Sequence, residues 1–160
     1  MKICIIYHSE TGNTRHVALH IASVFDAKLI EVIDTASYFQ LTHFLMQCKM
    51  ARGEEKTTIS PASVDVSGYD LIMFGSPVWA FKPSPVIHAA IDSLKGCMGK
   101  PALAFSTHGG RPGQTDNILK KWIEARGMVV VAITNIHQNA IENEKMTGEL
   151  IAIVRASMKV

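Results

Sequence analysis

A marked excess of charge of either sign is the first thing this sequence lacks. Sixteen basic and fourteen acidic residues leave a net charge of +2, too little to argue for nucleic acid or an anionic membrane as a partner. Cysteine is scarce as well: Cys4, Cys48 and Cys97 are odd in number and show no metal-ligand spacing, which excludes a disulfide framework and gives no metal site. Cys4 falls in an apolar strand and Cys48 on an apolar helical face, so they read as reduced residues of an intracellular protein. Cys97 lies beside glycine in a loop, where it could be exposed. No apolar run reaches the ~18 residues that a membrane helix needs. The short N-terminal apolar run carries no small-residue cleavage site, so no signal peptide is expected and the cytoplasm is the expected location. No repeat, low-complexity tract or linker interrupts the chain. Its 160 residues, 48% of them apolar, fit one domain over 1–160 with a substantial core.

What is present is an alternation. Ile3-Cys4-Ile5-Ile6 is a buried strand, followed by Val17, Ala18, Ile21, Ala22 and Phe25 at helical spacing. Lys28 to Ile33 is a second strand, and Leu41, Phe44, Leu45 and Cys48 give a second helical face. The stretch 51–68 is polar, contains Pro61 and is long for a connection, which predicts a surface segment. Asp70 to Gly75 is a third strand, with Ser76 to Pro83 as the loop after it. Pro85 suits a helix start, ahead of Ile87, Ala90, Ile91 and Leu94. Ala102 to Ser106 is a fourth strand, and Ile118, Leu119, Trp122 and Ile123 line the next helix. Met128 to Ile133 is the fifth strand. The last helix lies between about 143 and 159, with Asn143 or Thr147 as its cap. This βαβαβαβαβα order predicts an α/β fold with a parallel sheet, right-handed crossovers and helices on both faces.

Ligands of such sheets bind outside the carboxyl ends of the strands, and three of those ends feed turns of unusual composition. The first is Ser9, Glu10, Thr11, Gly12, Asn13 and Thr14. Its hydroxyls, its glycine and the free N–H groups of a helix start can make a phosphate site, and the same groups also suit a plain capped turn. It is neither G-x-x-x-x-G-K-[ST] nor G-x-G-x-x-G, since it holds no lysine and a single glycine. The second turn is Ser76, Pro77, Val78, Trp79, Ala80 and Phe81. It offers two aromatic side chains held out by proline-bounded backbone. The third is Thr107, His108, Gly109 and Gly110, whose glycines allow close approach to a flat ligand. A phosphate at one end and an aromatic wall at the other suit a planar mononucleotide. Trp122 lies on a helical face and reads as core.

The turn Ser-Glu-Thr-Gly-Asn-Thr and the segment Tyr69 to Trp79, Tyr-Asp-Leu-Ile-Met-Phe-Gly-Ser-Pro-Val-Trp, resemble the flavodoxin family over essentially the whole chain. The resemblance implies a three-layer α/β/α sandwich with a five-stranded parallel sheet in the order 2-1-3-4-5. It further implies FMN as cofactor, with Ser9 to Thr14 on the phosphate and Ser76 to Phe81 on one side of the isoalloxazine, Trp79 against the ring. Thr107 to Gly110 would cover the other side and the pyrimidine edge. The function implied is an FMN-bound electron carrier that serves a redox partner protein and needs no catalytic side chain of its own. The chain departs from the family in two ways: it is slightly basic, where many flavodoxins are strongly acidic, and its third turn carries His108 where a stacking tyrosine is common. That His-Gly-Gly turn is similar to those of flavodoxin-fold quinone reductases, so an NAD(P)H-dependent FMN or quinone reductase is the alternative. Lys82 and Arg111 flank the turns; they read as solvated loop charge, or else as cations that favour the reduced cofactor's negative charge.

Overall fold

The computed structural model describes residues 1–36, 43–141 and 144–157. Strand β1 (Ile3–Tyr7) leads through the first turn into α1 (Asn13–Phe25), then to β2 (Lys28–Glu31) and a short β3 (Ile33–Asp34). Helix α2 (His43–Gly53), β4 (Ile59–Ser60), β5 (Leu71–Trp79), β6 (Lys82–Pro83) and α3 (Pro85–Asp92) follow. The chain continues with β7 (Pro101–His108), α4 (Thr115–Ala125), β8 (Val129–His137), a 3-10 turn at Gln138–Ala140 and α5 (Glu144–Ser157). The main sheet runs β2-β1-β5-β7-β8, and these five strands are parallel. This is the 2-1-3-4-5 order that the resemblance implied.

Alternation along the central strands builds the two cores. Cys4, Ile6, Ile72, Phe74, Ala102 and Ala104 face one side, where Ile87, Ile91, Leu119 and Trp122 of α3 and α4 pack on them. Ile3, Ile5, Met73, Leu103 and Phe105 face the other, against Val17 and Ile21 of α1 and Leu150 and Val154 of α5. With both faces covered, the middle strands have no polar side to show, which is why they read as continuous apolar runs. Pro85 starts α3 as expected, and Ser84 caps it by accepting from the Val86 N–H at 3.1 Å.

Several expectations need correction. The second strand stops at Glu31, and Ile33–Asp34 turns away to pair antiparallel with Ile59–Ser60. The polar stretch 51–68 is not mere surface: Ile59, Val64 and Val66 are buried in the first core. Leu45 is 68% exposed and Cys48 is half-buried, while Met50 and Ala51 bury instead. Leu41, Asn143 and the side chain of Phe44 lie outside the described residues. Thr147 is inside α5, not at its start. Cys97 is 5% exposed and donates its thiol to the Arg126 carbonyl, and burial pushes the Cys4 thiol up to about 11, so neither is a ready nucleophile.

The largest correction concerns β5, which continues four residues past Gly75. Strand β1 leaves the sheet there, its last link being the His8 N–H to the Gly75 carbonyl at 3.1 Å. Beyond that point β5 needs no donor on that side, so Pro77 is tolerated. Ser76 and Pro77 go on pairing with Ser106 and Thr107 of β7. Val78 and Trp79 then pair with Pro83 and Lys82, closing a hairpin whose two turn residues are Ala80 and Phe81.

Candidate functional site

The three turns, remote in sequence, meet at the carboxyl rim of the sheet. The first is tied to the third by the buried hydroxyls of Thr14 and Thr107, 2.7 Å apart. It is tied to the second by His8, whose ring meets the Trp79 indole edge-on with centroids 5.6 Å apart. The second is tied to the segment that follows the third through the Gln114 N–H at the start of α4, which donates to the Phe81 carbonyl at 2.9 Å. Gly113 fits there only because it has no Cβ, which would strike the Phe81 backbone.

Within the first turn, Gly12 is the N-cap of α1 at φ 95 and gives no side-chain cap. Ser9 Oγ accepts from the Arg15 N–H at 3.1 Å, and the His16 N–H reaches the Gly12 carbonyl. A helix start has four N–H groups without intrahelical acceptors; those of Asn13 and Thr14 remain for an outside anion. A Cβ built on Gly12 meets nothing within 4 Å, so the space in front of these donors is open. Glu10 and Thr11 are exposed and Ser9, Gly12 and Asn13 are half-exposed. Arg15 does not face this space alone, since its guanidinium pairs with Glu31.

The second turn departs from expectation. Trp79 is only 7% exposed and so offers no free face; the open aromatic is Phe81, 59% exposed. Ala80 and Phe81 stand at φ 48 and 66, the left-handed pair that a two-residue hairpin demands and that glycine or asparagine normally supplies. Each such residue costs about 1–2 kcal/mol. Ser76 holds the base of the hairpin, accepting from the Ser84 N–H at 3.0 Å and donating to the Pro77 carbonyl at 2.9 Å. Lys82 is not a free loop charge: its ammonium donates to the Arg52 carbonyl at 2.8 Å and pairs with Glu54 at 3.3 Å. Arg111 is exposed.

In the third turn, His108 Nδ1 lies 2.9 Å from the Gly110 carbonyl, and Gly109 and Gly110 are exposed. Sequence reasoning passed over two residues that hold this rim together. His137 at the end of β8 accepts from the Asn139 N–H at Nδ1 and donates from Nε2 to the Gly109 carbonyl, both at 3.2 Å. Its ring also meets His108 edge-on at 5.3 Å. It was missed because the fifth strand was expected to end at Ile133. The other is His8, the residue just before the first turn. It is 4% exposed, with Nδ1 2.9 Å from the Val32 carbonyl and burial holding its pKa below the ordinary 6.5.

Among the described residues no group of three or more His, Cys, Asp or Glu could hold a metal ion, and no helix is long and apolar enough to cross a membrane.

Similar solved structures include a flavoprotein from Lactobacillus acidophilus in complex with FMN, at 24% identity and TM-score 0.70, covering 91% of this chain and 98% of that one. The two-electron reduced flavodoxin of Megasphaera elsdenii matches at 18% identity and TM-score 0.61, over 94% and 96% of the two chains. An NADH:FMN oxidoreductase matches at 15% identity and TM-score 0.59, over 98% and 88%. At these identities the likeness shows the fold. No match is found among curated proteins. The model of the NADPH-dependent FMN reductase family matches residues 1–140, which takes in all three turns. The chain therefore belongs to the NADPH-dependent FMN reductase family and is a flavodoxin-like FMN flavoprotein.

Proposed function

We propose that FMN sits at this rim as a resident group through which the protein passes electrons to and from a redox partner protein. The observation that carries the reading is the convergence of the three turns, fastened by the Thr14–Thr107 hydroxyl pair and the His8–Trp79 ring contact. The residues fit the cofactor at its phosphate end: α1 presents unspent N–H groups to open space over Gly12. In this reading Ser9 to Thr14 hold the phosphate. Phe81 takes the place on the ring that Trp79 was expected to have. Thr107 to Gly110 close the other side, held by His137. Bound FMN supplies one- and two-electron transfer, and the chain supplies binding, orientation and the surrounding field.

Direct reduction by NADPH is the second reading, favoured by the family and by the open His108–Arg111 edge. Adding NADPH to the purified holoprotein under nitrogen separates the two. A carrier keeps its yellow absorbance until a partner reductase is supplied, whereas a reductase bleaches at once. A preparation that stays colourless and takes up no FMN would defeat both. Three unpaired cysteines, two of them buried and one half-buried, support the cytoplasm as the place of work.

The hairpin tip provides a test that separates binding from folding. Glycine at position 81 relieves a left-handed backbone and removes the open aromatic ring. Phe81→Gly is expected to leave the melting temperature unchanged or to raise it by a few degrees, equivalent to about 1 kcal/mol. FMN affinity should fall about tenfold, consistent with an aromatic contact of about 1–1.5 kcal/mol. Differential scanning fluorimetry and an FMN fluorescence titration read the two effects. Undiminished affinity would remove Phe81 from the site.

A further inference from the structure

The FMN reading leaves an electrostatic problem at the phosphate turn. Ser9 to Thr14 contain one carboxylate, Glu10, and no cation, and Arg15 is engaged by Glu31. A phosphate arriving there meets backbone N–H groups but also a negative side chain. Resting on that reading, we propose that His8 and Glu10 form a proton slot beside the turn, and that binding of FMN fills it by taking one proton from solvent onto His8 Nε2.

The geometry of the ring carries this. A carbonyl oxygen only accepts, so the 2.9 Å contact with Val32 places the hydrogen of neutral His8 on Nδ1. Nε2 is then a bare lone pair. It is buried without a hydrogen-bond partner, and Glu10 Oε2 lies 3.6 Å from it. Two acceptors facing one another attract only when a proton sits between them. The ring cannot turn away to find another donor, because Val32 fixes one edge and Trp79 packs against it at an interplanar angle of 88°.

The charged groups that act on the His8 ring are acidic, and one of them, Glu31, is itself paired with the Arg15 guanidinium. Glu10 from its own turn, Asp34 from β3 and Glu31 from β2 all favour the imidazolium; burial outweighs them, so the ring is held below its ordinary pKa of 6.5. A phosphate dianion next to the turn adds a further negative charge on the same side of the balance. The imidazolium formed on binding would donate to Glu10 and offset its repulsion of the phosphate. Proton and cofactor then reinforce one another, and by linkage each raises the other's affinity by the same factor.

The experiment is a calorimetric titration of FMN into the apoprotein at pH 7.5, in two buffers of different ionisation enthalpy. Wild type is expected to take up between about half a proton and one proton per FMN, and its affinity should fall by up to about tenfold per pH unit above neutrality. The range is kept above pH 7 because the phosphate of FMN itself titrates near pH 6. Riboflavin, which lacks the phosphate, should bind without uptake. His8→Gln should bind FMN with no uptake and a flat pH profile. Glu10→Gln, whose amide can donate to neutral Nε2, should lose most of the uptake and bind FMN no more weakly at pH 8.5. In wild type, the nitrogen-15 signals of the His8 ring should move to imidazolium positions when FMN is added, a readout that needs no variant to fold. FMN binding without proton uptake, uptake that persists in His8→Gln, or ring signals that stay neutral would each overturn the proton slot while leaving the FMN reading intact. Failure of wild type to bind FMN at any pH would overturn that reading and the slot with it.

Discussion

Valine at position 12 is expected to weaken FMN binding by at least about a hundredfold while the fold persists. Gly12 stands at φ 95, ψ −17 as the N-cap of α1, a conformation in which a β-branched residue is a genuine outlier. The strain, about 1–3 kcal/mol, is relieved only if the turn shifts, and a shift misaims the N–H groups of Asn13 and Thr14. The new side chain also projects into the space where a Cβ on Gly12 meets no protein atom within 4 Å, which is where the phosphate is proposed to lie. Hydrogen bonds to a charged group contribute about 1.5–3 kcal/mol each. Losing both of them amounts to about 3 kcal/mol or more, two orders of magnitude in affinity. Quenching of FMN fluorescence measures the effect, with riboflavin as a control that should lose much less. Circular dichroism checks that the helices remain. Unchanged affinity for FMN would mean that the phosphate is held elsewhere.

The second large effect is on stability. Gly75 and Phe105 are register partners on the adjacent strands β5 and β7, and Phe105 is fully buried in the core between the sheet and α1 and α5. The ring occupies the space that a side chain at 75 would take: a Cβ there would lie 2.5 Å from Phe105 Cζ and 2.9 Å from Tyr7 Cβ. Phe105→Ala is expected to cost about 3–5 kcal/mol through lost burial and the cavity left behind. Gly75→Ala overpacks the same spot and costs about 1–3 kcal/mol. Because the two sites share one volume, the double variant should be less destabilised than the sum of the two, the new methyl filling part of the cavity. Urea unfolding of the four proteins closes this cycle. Strict additivity would mean that the glycine is not there for the ring.

Much of the fold was legible because the information was local. Each buried parallel strand is an apolar run, each helix carries a stripe such as Ile118, Leu119, Trp122 and Ile123, and the turns between them hold the small polar residues that cap helices. The turn proposed for the phosphate is legible as a polar turn that opens a helix for the same reason, since Ser9, Gly12 and the start of α1 are neighbours in the chain. Burial at Ile59, Val64 and Val66 was less visible, as single apolar residues in a polar stretch make no period, and only contact with the first core marks them.

The sequence by itself determined the succession of the five parallel strands and the helices between them, the apolar faces that stack them in three layers, and the turn that opens α1, because these depend on residues a few positions apart. The tertiary structure alone decided where β1 leaves the sheet. That departure lets β5 run on through Pro77, and the extension folds back at Ala80–Phe81 with no glycine to announce a turn. It also decided that Trp79 is packed against His8 while Phe81 faces outward, and that His137 supports Gly109 from the neighbouring strand. Each of these depends on a partner brought from far along the chain, and spacing within a segment carries no record of what will be folded against it.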